Sequence, residues 1–346
     1  MNHIPCGHWH KKIIVEAAVE TANGNIYYYT TNGLNHGIAK FDYDTQVAFL
    51  PLPTLYNQGG AGTKAAVSST GISYWPINED GNRKIVVVNL VSMAYVSEIT
   101  VTDRPQQVIL DESANLLYYL AYKGTAKLKI WKIDLATNLE TASVESSAEQ
   151  SQNADLSSFS RSGDYFYVTC IFSLHKFQIS TFSYIGNTAA SLYESFTVAD
   201  APSNKLFTMG KSITTSRIKR YNLTSFAFEQ EHTTSAPTWG SDIKYDSGYA
   251  YGISWGNPSY VHKWKADGST FEELVISIDG VEAAGGGCGV VDTDRKVLYV
   301  AMVTASSAAY RIVMVDMSSF SIIKRIPCVD NTEALSYANI GLYYKA

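Results

Sequence analysis

Three histidines stand within the first ten residues, and His8-Trp9-His10 sets two of them in alternation. Alternate residues of a strand share a face, so two imidazole nitrogens could converge on a metal ion. No third ligand follows at a usable spacing, and a short basic segment is ordinarily solvated. The sequence therefore calls for no metal and no cofactor. A lyase acting on uronates would need a His or Tyr base beside an Arg that neutralises the carboxylate. His36, His175, His232 and His262 are scattered, and no local motif joins any of them to such a pair. His175 and His262 each precede a lysine, in Leu174-His-Lys and Val261-His-Lys, which reads as repeated structure. A nucleophile elbow, an HExxH helix, a P-loop and a dinucleotide fingerprint are all absent. The glycine-rich run at 285–289 could suggest a phosphate cradle. It lacks the strand–helix context and the following lysine, so close backbone packing is the better reading.

A second chemistry is more consistent with the composition. His36, Tyr56, Asn57, Arg83, Arg217, Trp239, Trp255, Asn257 and Tyr260 put rings beside amides, hydroxyls and guanidinium groups. A sugar packs its C–H face on a ring while its hydroxyls find polar partners, so this set is the candidate ligand-binding group. The competing reading is that some of these rings pack between structural units. No residue is assigned a catalytic role.

The elements that would position these residues are visible in a repeat. An apolar or aromatic residue, a polar residue and then a Ser, Thr or turn residue recur as Phe41-Asp42-Tyr-Asp-Thr45, Val88-Asn89-Leu-Val-Ser92 and Ile133-Asp134-Leu-Ala-Thr137. Further copies are Phe177-Gln178, Tyr221-Asn222, Trp264-Lys265 and Val315-Asp316. The polar positions 42, 89, 134, 178, 222, 265 and 316 are separated by 47, 45, 44, 44, 43 and 51 residues. About twenty residues upstream of each lies a turn and an aromatic-rich strand, such as Gly24-Asn-Ile-Tyr-Tyr-Tyr29 or Gly71-Ile-Ser-Tyr-Trp75. Four short strands joined by turn residues at a period near 45 mark a β-propeller blade. The innermost strands should carry small residues, as in Glu16-Ala-Ala-Val19, Lys64-Ala-Ala-Val67 and Gly287-Cys-Gly-Val-Val291.

The predicted fold is all-β, a single closed propeller of eight four-stranded blades, with seven as the alternative. The blades fall at about 15–54, 60–102, 105–146, 152–196, 197–234, 238–279 and 284–328, with an eighth formed by 331–346 and 1–14. In that scheme Asn339-Ile-Gly-Leu-Tyr-Tyr344 is a second strand, and residues 10–15 (His-Lys-Lys-Ile-Ile-Val) close the ring as an outer strand. Cys6 and Cys328 flank this seam, which leaves two readings open: a disulfide, or reduced thiols throughout. On a propeller of this kind, the candidate loops at 30–37, 52–63, 78–83, 209–217, 235–240 and 254–260 share one face.

The Tyr-rich second strand and the polar third-strand end resemble the YVTN/NHL-like β-propeller superfamily. The stretches 111–137 and 292–318 carry this best. The chain departs from the pattern in that the inter-blade glycine–proline reduces to Arg104-Pro105 and the Tyr-Val pair survives loosely, at Tyr167-Val168 and Tyr299-Val300. The resemblance implies the fold and says almost nothing about activity.

Bulk properties narrow the function classes. Charged residues make up 17% of the chain, below the usual share of about 25%, so Ser, Thr, Asn, Gln and 24 tyrosines supply much of the polar surface. A net charge of −5 gives no footprint for nucleic acid or an anionic membrane. No run of about 18 apolar residues reads as a membrane span and no secretory signal is evident. The expected partners are a protein or a carbohydrate, with an oligomer or larger assembly open. The leading expectation is a non-enzymatic binding or assembly propeller, such as a phage-type virion or host-recognition component. The alternatives are a lyase or hydrolase acting on an acidic polysaccharide and a cytoplasmic interaction scaffold. Localisation stays open between the cytoplasm and a virion or extracellular setting reached by lysis.

Overall fold

A computed structural model describes residues 24–31, 36–43, 46–52, 64–79, 82–122, 127–147, 158–170, 173–189, 193–211, 216–234, 238–256, 258–277, 282–304, 311–327 and 340–345. Among them are seven four-stranded antiparallel sheets, each a blade of a propeller. The inner strands are Ala66–Val67, Arg104–Asp111, Ser158–Ser162, Tyr193–Asp200, Trp239–Asp246 and Glu282–Asp292 for blades 2 to 7. Blade 1 takes its inner strand from the far end of the chain: Ile340–Tyr344 pairs with Asn25–Thr31, followed outward by His36–Phe41 and Gln46–Pro51.

This arrangement corrects two expectations. The ring has seven blades, and the last strand is an inner strand rather than the second strand of an eighth blade. The physical reason is the axial edge of Asn25–Thr31. Left alone, that edge would point unpaired backbone groups into the middle of the ring. Ile340–Tyr344 satisfies it, with Tyr27 opposite Leu342 and Asn25 opposite Tyr344. The strand is also tied to both neighbouring blades. The Tyr344 hydroxyl donates to Ser69 O of blade 2 at 3.4 Å, and Lys345 pairs with Asp294 of blade 7 at 2.8 Å. The aromatic that made this segment read as a second strand fills the seam between blades 1 and 2, where Tyr344 packs with Tyr27, Trp75 and Leu90. Residues 10–15 and 16–19, together with Cys6 and Cys328, lie outside the described residues.

The core is distributed between blades instead of lying at one centre. Tyr74, Ile85 and Val87 of blade 2 pack on Val108, Leu117 and Tyr119 of blade 3. Phe207 and Met209 of blade 5 pack on Ile243, Ala250 and Trp264 of blade 6. Each sheet is thus apolar on both faces, which explains the near-continuous hydrophobic runs in the second strands.

The recurring polar residue is a turn cap. The Asn89 side-chain oxygen accepts the amides of Val91 and Ser92, Asn222 those of Thr224 and Ser225, and Asp316 those of Ser318 and Ser319. In blade 4, where the repeat has Gln178, Asp164 takes over and accepts the amide of Ser180. The next residue's carbonyl then receives the preceding blade. Leu223 O accepts from the Tyr167 hydroxyl at 3.3 Å and Lys176 Nζ at 3.2 Å, and Met317 O from Tyr251 at 3.4 Å and Lys263 at 2.9 Å. The lysines of the two His-Lys pairs are therefore stitches between blades.

Deleting residues 340–346 should lower the thermal midpoint by at least about 10 °C or abolish cooperative unfolding, because it reopens the axial edge of blade 1. Calorimetry of the truncated chain checks this, and an unchanged midpoint would refute the closure.

Candidate functional site

The two faces of the ring differ. On one, the inner strand turns into the second and the third into the outer. These turns are short and regular, such as 112–115, 135–138, 201–204 and 317–320, with left-handed residues at Asn115, Asn138, Asn204 and Phe320. On the other lie the ends of the strands between which the chain makes its longer passages, from 51 to 66, 145 to 158, 304 to 311 and 327 to 340, most residues of those passages lying outside the described ones. The candidate residues whose backbone is described lie at strand ends on this second, variable face.

Three of them have described side chains. Arg83 is the second residue of the third strand of blade 2 and is exposed, donating to Thr102 O at 2.6 Å. Arg217 is the second residue of the equivalent strand of blade 5, where it pairs with Glu231 at 2.9 Å. Tyr260 begins that of blade 6, with its ring stacked 5.8 Å from His262. Trp239 and Trp255 are cross-strand partners at the same end of blade 6, which places their backbones beside Tyr260. His36 begins the third strand of blade 1. Tyr56, Asn57 and Asn257 lie outside the described residues. The described members thus sit on one face at blades 1, 2, 5 and 6, and the tightest grouping is in blade 6.

The two buried histidines resemble catalytic groups only in outline. His262 Nε2 meets the Ser254 hydroxyl at 3.0 Å, and a Glu273 carboxylate oxygen lies 3.2 Å from Nδ1. A serine, a histidine and an acid in this order could form a proton relay. Yet Ser254 and His262 are both 0% exposed, so no acyl group can reach the hydroxyl. Burial pushes the His262 ring below its ordinary range, against the opposing pull of Glu273. His175, in the matching strand of blade 4, meets the Ser173 hydroxyl at 2.8 Å and is pushed down to about 4 by burial. Both are neutral polar anchors of their blades. Among the described residues no three His, Cys, Asp or Glu side chains gather as a metal-holding group.

Sequence reasoning missed a polar layer at the axis. Lys64, just before the inner strand of blade 2, extends its ammonium to Ser158 Oγ of blade 4 at 3.2 Å and Thr197 O of blade 5 at 3.3 Å. Gln107 of blade 3 accepts the amide of Phe159 at 2.7 Å, and Ser158 accepts that of Thr197 at 3.0 Å. Asp242 of blade 6 accepts the amide of Gly289 of blade 7 and the Lys244 ammonium, both at 2.9 Å. Four inner strands carry a bulge at this level, between 105 and 107, 194 and 196, 240 and 242, and 284 and 289. A bulge re-aims the side chains that follow it, here Gln107 and Asp242 among them. The signal in the sequence was a charged Lys64 heading a run of small residues.

Gly289, at the end of the glycine-rich run, is closely packed. A Cβ on Gly289 would stand 2.5 Å from Ile253 Cδ1 and 3.2 Å from Asp242 Oδ2.

Seven four-stranded blades closed by a terminal strand, with an axial polar layer and one variable face, define a β-propeller. No protein-family model matches the sequence, and no curated protein matches it. Solved structures do match in fold, 1213 chains in all, so the likeness is to a widely used architecture. One is a chain of Kuenenia stuttgartiensis hydrazine synthase, with a TM-score of 0.62 at 12% identity, covering 79% of this chain and 88% of that one. At that identity the likeness shows the fold alone.

Two predictions follow from these residues. Unfolded, His175 titrates near pH 6.5. Between about 6.5 and 4 the unfolded chain therefore holds a proton that the folded chain lacks, and stability falls as the pH drops through that window. Roughly 3 kcal/mol is at stake, at about 1.4 kcal/mol per pH unit. Urea midpoints at pH 7 and 4.5 should show a smaller acid loss in His175→Gln than in the parent, and equal losses would clear His175 as the cause. Gly289→Ala should cost about 1–3 kcal/mol by overpacking against Ile253, measured by the same denaturation.

Proposed function

We propose that this chain is a non-enzymatic binding or assembly propeller that presents its variable face to a glycan or protein partner. The observation that carries the reading is the contrast between the faces. One face is built of short capped turns whose side chains are spent on holding hairpins and neighbouring blades. At the other lie the ends of the strands that the longer passages of chain join, with the strand-end residues Arg83, Arg217, Trp239, Trp255 and Tyr260. Loops on a rigid scaffold are where binding residues concentrate, because the scaffold tolerates their variation. A Tyr-, Ser- and Thr-rich, charge-poor chain fits a component working outside cells, such as a phage-type virion or host-recognition part. Within the propellers, the YVTN/NHL-like grouping accounts for the tyrosine-rich second strands. The described residues include no helix long and apolar enough to cross a membrane.

Binding of the full chain to an array of neutral and acidic glycans, alongside capture of candidate protein partners, tests the reading. Arg83→Ser, Trp255→Ser and Tyr260→Ser should each weaken the contact by about tenfold, the scale of a lost aromatic or charged anchor. Ser318→Ala on the turn face should leave it unchanged. Loss of binding from the turn face alone would overturn the choice of face. Absorbance near 235 nm appearing with polyuronates, the sign of an unsaturated uronate product, would make the protein a lyase instead.

A further inference from the structure

The outer strand of each blade presents a sheet edge at the rim of the ring. Such edges template pairing with another strand unless charge or shape prevents it. The outer strands of blades 2, 3, 5, 6 and 7 carry charges, as Glu140 and Glu145 do in Leu139–Glu145 of blade 3, or Lys324 and Arg325 in Ser321–Pro327 of blade 7. Ser183–Ala189 of blade 4 is uncharged but polar, with Ser183, Asn187 and Thr188. Blade 1 differs from them all. Gln46–Pro51 reads Gln-Val-Ala-Phe-Leu-Pro, and Val47 and Phe49 are 48% and 36% exposed. Gly37 of the third strand leaves the space in which the Phe49 ring lies, since a Cβ there would strike it.

The chain that leads into blade 1 matches this edge in pattern, reach and direction. Residues 10–15, His-Lys-Lys-Ile-Ile-Val, hold a β-branched run in which Ile13 and Val15 have the spacing of Phe49 and Val47. The inner slot of blade 1 is taken by Ile340–Tyr344, which leaves the outer edge for an added strand. Gly24 enters the blade at the turn-face end of Asn25–Thr31, where Arg295 of blade 7 donates to its carbonyl at 3.0 Å. A position just outside Gln46–Pro51 is three strand spacings away, roughly 14 Å. Residues 16–23 span up to about 26 Å when extended, so they cover that distance along the turn face. Gln46–Pro51 runs from the turn face to the variable face, so a strand that ends at the turn face with Val15 lies antiparallel to it. A parallel strand would leave Val15 at the variable face, and residues 16–23 would have to cross the height of the blade as well.

We propose that the outer edge of blade 1 is the docking surface for residues 10–15 of the same chain, which add to Gln46–Pro51 as an antiparallel fifth strand. Ile13 and Val15 cover Phe49 and Val47, and Lys11 and Lys12 give the new rim the charge that most other outer strands have. The same direction carries His8-Trp9-His10 to the variable face, at the blade where His36 begins the third strand.

The test is hydrogen exchange of the full chain at pH 7, read by mass spectrometry on peptides covering 46–51, 10–15 and, as reference, Leu139–Glu145. In the double variant Ile13→Asp, Val15→Asp, the amides of 46–51 should exchange at least about tenfold faster than in the parent, while the reference strand keeps its rate. Phe49→Lys should in turn speed exchange of 10–15 by a similar factor, and its exposed position spares the core. Protection of 46–51 in the parent should not change with protein concentration. Should the double variant fail to fold, Phe49→Lys and the concentration series still decide. An unchanged rate in 46–51 overturns the proposal, as does an equal rise in Leu139–Glu145. Protection lost on dilution overturns it too, because the occupant is then a second copy of the chain.

Discussion

The pairing of Ile340–Tyr344 with Asn25–Thr31 is the constraint on which the rest of the structure depends. A propeller has no central core. Its apolar clusters lie between adjacent blades, so each blade is stabilised only while both neighbours are present. An open ring would expose two sheet faces at once and an unpaired inner edge besides. Closure by the terminal strand removes all of these defects with five backbone pairs, because the strand belongs to blade 1 by hydrogen bonding and touches blades 2 and 7 through Tyr344 and Lys345. Arg295 of blade 7 adds a bond to Gly24 O, and Tyr28 of blade 1 donates to Tyr299 O, so the seam is stitched as the other blade boundaries are.

The repetition seen in the sequence is mostly the trace of that stitching. Asp or Asn at the end of a third strand is selected by its turn, where its side chain holds two amides that the hairpin leaves unpaired. The following carbonyl, fixed in place by that cap, becomes the acceptor for a tyrosine and a lysine of the preceding blade. Second-strand tyrosines are favoured over phenylalanines because each has an apolar body to bury and a hydroxyl that must find a partner. The same logic turns the His-Lys pairs into structure. The lysine crosses to the next blade, while the histidine faces its own sheet and stays neutral in the folded chain.

Legibility therefore followed the repeat and stopped where the repeat stops. The fold class and the four-stranded unit could be read because each rests on local turn chemistry and strand alternation. The blade count could not, because Asn339-Ile-Gly-Leu-Tyr-Tyr344 has the turn residue and aromatics of a second strand yet occupies an inner slot. Which slot a strand fills is decided by the free edge it meets, a long-range fact that no window of sequence contains. Arg83, Arg217 and Tyr260 could be assigned to one end of their blades from periodicity, since strand direction alternates regularly. Lys64 could not be brought together with Ser158 and Thr197, because the three come from blades 2, 4 and 5 and meet only through the geometry of the ring.

That meeting exacts a cost the fold could have avoided. Inner strands need small residues, and an apolar axis of Ala, Val and Gly would pack without charges. Placing Lys64 against the Ser158 hydroxyl and the Thr197 carbonyl spends stability, since burial disfavours its ammonium. The bulges make the choice costlier still, for each interrupts a ladder of backbone bonds in an inner strand. In this ring the bulges and the desolvated Lys64 ammonium coincide at a single level, on strands that otherwise follow the plain repeat.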